Sequence, residues 1–84
     1  MKYTVVWKPE AARRLAELWL KAENQQALAD AANLIERELG AAPNSVGEQR
    51  IGSIRVVVVP PVGMYFRVNA EDRQVLVLTV WSCE

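Results

Sequence analysis

Histidine is absent from this chain, cysteine occurs once, and neither sign of charge dominates, because ten basic residues meet ten acidic ones. Without histidine the usual general base at neutral pH and the commonest metal ligand are both missing. The single thiol, Cys83, excludes an internal disulfide, and the lack of histidine excludes a His-based triad or a structural zinc site. No cofactor or metal is therefore expected. A balanced charge supplies no long-range field toward nucleic acid or an anionic membrane, so any polyanion site must be a local patch. No apolar run approaches the roughly 18 residues of a membrane span. The opening "MKYTVVWKPEAARR" also lacks the apolar core and small-residue cleavage site of a secretory signal. The reducing cytoplasm is the expected location, away from membranes.

What remains is ordinary globular material, with 51% apolar and 24% charged residues in 84. Such a chain is far from the composition of disordered segments and long enough for one domain, residues 1–84, with a single core. The acids lie mainly in the first half (Glu10, Glu17, Glu23, Asp30, Glu36, Glu38), whereas residues 49–68 hold three arginines and no acid.

"YTVVW", residues 3–7, is β-branched and aromatic and predicts a short strand ending at Lys8-Pro9. Pro9 and Glu10 suit a helix N-terminus. Ala11, Leu15, Leu18, Trp19 and Ala22 then form one apolar stripe, with Arg13, Arg14, Glu17 and Lys21 on the other faces. After "ENQQ", residues 23–26, a second stripe runs through Leu28, Ala31, Ile35 and Leu39, with Gly40 in the position of a helix stop and Pro43 beyond it. Residues 40–49 read as a loop. Three β-rich runs follow at 53–59, 63–68 and 74–81, and the short "PPV" and "NAEDR" breaks between them predict an antiparallel meander. The last run is apolar on both alternating faces, as in an interior strand. The order β-α-α-β-β-β gives an α+β fold, a helical hairpin packed on an antiparallel meander sheet.

This order of landmarks resembles the RelE/ParE superfamily of bacterial toxins from type II toxin–antitoxin systems. Tyr3, Val5 and Trp7 carry the likeness in the first strand, and Ala11, Ala12 and Leu15 in the first helix. Leu39, Pro43, Arg50, Gly52, Arg55, Tyr65, Val68 and the closing "VLVLTVW" carry it through the rest of the chain. The resemblance implies a cognate antitoxin protein as partner and one of two activities. RelE-like members cleave mRNA in the ribosomal decoding site, using basic strand residues and a C-terminal tyrosine or other acid–base group. ParE-like members poison DNA gyrase without those residues. Here the expected second-strand "YR" falls on Val62-Gly63, further basic positions are Val56 to Val59, and only Ser82, Cys83 and Glu84 follow the last strand. Whether the chain is an enzyme thus stays open between an endoribonuclease, a gyrase-binding toxin and an inactive relative that dimerises through an apolar face.

Within residues 49–68, Met64, Phe66 and Val68 form the natural core face of their strand, which turns Tyr65 and Arg67 to the open side. Arg55 shares a face of the preceding strand with Val57 and Val59, and the expectation is that it stands near Tyr65 or Arg67 across the hairpin. Arg55, Tyr65 and Arg67 are the candidate catalytic residues, a basic-aromatic patch for phosphate and a stacked base. Arginine supplies charge but no proton acceptor, so Tyr65 and Glu84 are the acid–base candidates. The opposing interpretation makes the arginines solvated sheet residues. Arg50, Trp81 and Glu84 are candidate binding residues, Trp81 being either core or part of a surface that a partner covers. Trp19, at helical spacing, is expected in the core. "PPVG", residues 60–63, reads as a rigid connection in which Gly63 permits a tight turn.

Overall fold

The computed structural model describes residues 2–83. Strand β1 (Thr4–Trp7) leads into helix α1 (Pro9–Lys21), whose first turn takes Pro9 at no hydrogen-bonding cost and carries Glu10 beside the positive helix end. The polar turn that follows is closed by Asn24, whose Oδ1 accepts from the Ala27 amide at 2.9 Å and caps helix α2 (Gln25–Ala41). Gly40 does not stop this helix, which runs on to Ala41. Its carbonyl instead ties the helix end to the segment leading into β1, accepting from the Tyr3 amide at 2.7 Å. A 3-10 turn at Pro43–Ser45 precedes four strands, β2 (Glu48–Ile51), β3 (Ile54–Val59), β4 (Val62–Asn69) and β5 (Gln74–Ser82).

The strands form one mixed sheet in the order β1-β5-β4-β3-β2, antiparallel throughout except for the parallel β1–β5 pair. The expected meander is present as β3, β4 and β5, and β5 is interior. Residues 48–51, read from the sequence as loop and loop margin, form the extra edge strand β2. Both helices cover one face of the sheet. Between the layers lie Ala11, Leu18, Leu28, Ala31, Ile35 and Leu39 from the helices, and Val57, Val62, Met64, Phe66, Val75, Val77 and Val80 from the strands. Removing this apolar surface from water at roughly 25 cal/mol per Å² is the dominant stabilising term. Trp7 lies at the margin of the core, its Nε1 donating to Glu36 Oε1 at 2.9 Å.

Trp19 corrects the expectation of burial. It is 42% exposed and lies with Leu20 along the outer groove between α1 and α2, because the core-facing arc of α1 is filled by Ala11, Leu15 and Leu18.

Candidate functional site

Helices cover one sheet face and leave the other open, and strand alternation decides which side chains that open face receives. Cross-strand partners project to the same side. Pro60-Pro61 forms a two-residue connection that pairs Val59 with Val62, so Val57 meets Met64, Arg55 meets Phe66, and Val56 meets Tyr65. Met64 and Phe66 are buried beneath the helices; Tyr65 and Arg67 face outward, as expected.

Arg55 does not join them. The expected grouping of Arg55 with Tyr65 and Arg67 is overturned by this register, since a one-residue change in pairing moves a whole strand's side chains to the other face. Arg55 lies on the helix-side face, half-buried, where its guanidinium forks onto backbone. Nε and Nη2 donate to the Val46 carbonyl at 3.2 and 3.1 Å, and Nη2 donates to the Gly47 carbonyl at 3.1 Å.

Two β-bulges shape the open face. In β2 the register shifts between Gln49 and Ile51, leaving Arg50 as the extra residue. In β5 it shifts opposite Tyr65 and Phe66, leaving Leu78 as the extra residue. A bulge re-aims side chains and adds local twist. In β5 it breaks the strict alternation expected from the sequence: Val75, Val77 and Val80 face the core, while Leu76, Thr79 and Trp81 face outward. Both bulged residues line one hollow of about 440 Å³, together with Ile51, Ile54, Tyr65 and Thr79. An adjoining hollow of about 520 Å³ shares Arg50 and Tyr65 and extends to Glu48, Val58 and Trp81.

Trp81 lies flat over Gly63, its pair in β4, and its ring centroid is 4.9 Å from that of Tyr65 with the planes tilted by 51°. Gly63 is not the left-handed turn residue its neighbours Pro60 and Pro61 implied. A Cβ at Gly63 would stand 2.3 Å from Cε2 of the indole, so its missing side chain is what allows the tryptophan to settle there.

The open face therefore brings together Arg50, Tyr65, Arg67 and Trp81 of the sequence candidates and separates Arg55 from them. Glu84 lies outside the described residues. The guanidiniums of Arg50 and Arg67 have no ion-pair or hydrogen-bond partner among the described residues. Around these cations the surface is mostly aliphatic, with Ile51 79% and Val58 50% exposed. Ile51, Ile54, Leu78 and Thr79 line the hollow without having been singled out from the sequence. Only the polar Thr79 inside an apolar strand marked that neighbourhood. Among the described residues, no group of three His, Cys, Asp or Glu side chains is arranged to hold a metal, and no helix is long and apolar enough to cross a membrane.

No protein-family model and no curated protein sequence matches the chain. Solved structures do. A chain of the RelBE2 toxin–antitoxin complex of Mycobacterium tuberculosis aligns over 100% of this chain and 95% of its own length, with a TM-score of 0.80 and 22% identity. A chain of the chromosomal ParDE toxin–antitoxin system of P. aeruginosa covers 99% of this chain and 98% of its own, at 0.71 and 17%. The E. coli toxin RelE, as an arginine-substituted mutant in the free state, covers 100% and 86%, at 0.67 and 15%. The chain thus has the fold of the RelE and ParE toxins from end to end.

Proposed function

We propose that this protein is the toxin of a type II toxin–antitoxin module and that it arrests growth by binding a protein target through the open sheet face. The shared fold supports the toxin assignment, and two of the similar structures are described as toxin–antitoxin complexes or systems in which a second protein is the antitoxin. A cognate antitoxin is accordingly the expected partner. DNA gyrase is the target that the ParE side of the resemblance implies.

The observation that carries the binding mode is the character of the hollow. It combines the exposed Ile51 and an unpaired Arg50 with Tyr65, whose ring meets Trp81 at the adjoining hollow, and Tyr, Trp and Arg are the types enriched at interface hot spots. In contrast, RNA cleavage by the 2′-hydroxyl needs a proton acceptor, a proton donor and dense positive charge. Arg55, the candidate cation of β3, is committed to backbone carbonyls on the other face. The rest of β3 offers Val56 and Val58 outward.

One feature favours a second reading, a ribosome-dependent endoribonuclease. Arg50 and Tyr65 line the same hollow and can meet a phosphate and a stacked base.

Tightly controlled induction of the chain in a bacterial host separates the two. Arrest that survives Tyr65→Phe, is lost with Ile51→Asp at equal soluble expression, and leaves transcripts uncut supports a protein target, to be followed by supercoiling assays with purified gyrase. Cut transcripts, with cutting lost in Tyr65→Phe, would establish the ribonuclease instead. No arrest by the parent chain would support an inactive relative.

A further inference from the structure

Arg55 was expected at the site and stands behind it, yet its bonds lead back to the same hollow. The segment Val46–Gly47 is the corner from which the chain enters β2. Gly47 has φ of +67° there, and a Cβ on it would stand 2.0 Å from the Val56 carbonyl oxygen, so the corner presses directly onto β3. A left-handed glycine this close to a neighbouring strand is the kind of backbone position that needs to be held. Two of the groups that hold it are the carbonyls of Val46 and Gly47, and all three hydrogen bonds to them come from the one guanidinium. A planar fork can span adjacent carbonyls in a way that an ammonium cannot.

Besides the Val46 side chain, which is buried in the core, the strand that leaves this corner has little else to fix it. All four residues of β2 are exposed, it is the sheet edge, and it pairs only with β3. Its bulge at Arg50 comes three residues after the clamped Gly47, and the far side is closed by the Gln49 side chain donating to the Gly52 carbonyl at 2.9 Å. Arg50 and Ile51 form one wall of the hollow beside Tyr65.

We infer that Arg55 is a positioning residue: by clamping the Val46 and Gly47 carbonyls from the helix side, it sets the β2 bulge that presents Arg50 and Ile51 to the open face. This rests on the reading of that face as the functional surface. Arg55 itself touches no target and donates no charge to the hollow.

The test compares the full chain with Arg55→Ala and Arg55→Lys by amide hydrogen exchange and by the Tyr65 ring resonances, alongside the induction assay. Exchange in Arg55→Ala should accelerate by about tenfold or more at the amides of residues 47–51, with helix and β4–β5 amides nearly unchanged, as for local rather than global opening. The Tyr65 ring signals should shift, and arrest should weaken as it does for Ile51→Asp. Arg55→Lys, which keeps the stem and one donor group, should restore part of each effect; it also serves if the alanine variant fails to fold. Uniform acceleration along the chain would make Arg55 a general stabiliser and overturn the inference. So would unchanged exchange at residues 47–51, or local loosening with arrest at parental strength. If the parent itself does not arrest growth, the functional reading of the face falls, while exchange and the Tyr65 signals still decide the clamp.

Discussion

Gly63 and Trp81 fit closely against each other on the open face. The indole occupies the space a Cβ would need, and from there it reaches Tyr65. Gly63→Val should expel it, at a cost of about 1–3 kcal/mol for forced repacking and with loss of the aromatic pair. Urea denaturation would give the first and near-UV circular dichroism the second; an unchanged aromatic signal would mean that the indole does not depend on the missing Cβ. Arg55 makes the same point in reverse. Its side chain was legible as one that would face the same way as Val57. Which way that was relative to Tyr65 depended on the pairing across Pro60-Pro61, and a register has no signature in the residues of one strand.

At the scale of elements, α1 and α2 were readable because apolar side chains recurring at three and four residues leave one buried arc. The cap was readable less directly. Asn24 lay within the turn "ENQQ", and in the structure its side chain accepts from the Ala27 amide in the first turn of α2. Asn24→Ala should cost about 1 kcal/mol by removing that acceptor, measured by thermal or chemical unfolding, and a change within about 0.3 kcal/mol would mean that solvent satisfies the helix end equally well. Strand β2 was not readable. Glu48, Gln49, Arg50 and Ile51 show no alternation of polar and apolar side chains, and the strand exists because β3 lies beside it to pair with. The β5 bulge was hidden for a different reason. Val75 to Val80 is apolar on both faces apart from Thr79, so a shift of one residue leaves the pattern almost unaltered.

For the whole molecule, zero net charge and an isoelectric point near 6.3 carry physical consequences. Self-repulsion is weakest there while Ile51, Val58 and Leu20 remain exposed, so solubility should pass through a minimum close to pH 6.3, read by light scattering across pH. A monotonic rise or fall through that pH would mean that local patches, not net charge, govern association. The same neutrality predicts weak binding to free RNA, since the candidate site brings just Arg50 and Arg67 to the open face to displace counterions. The slope of log affinity against log salt should then be about 2 or smaller in magnitude. A steep slope would favour the ribonuclease reading.

The residues alone determined the first strand, the two helices, the three-stranded meander after them, and the exclusion of a His-based triad and an internal disulfide. These depend on local periodicity and on which side chains are present at all. The tertiary structure decided the fifth strand, the two bulges around the hollow, the bed of Gly63 under Trp81, and the removal of Arg55 from the face it was expected to share. Each of those follows from how one strand registers against another, a relation between distant segments that no single stretch of the chain contains.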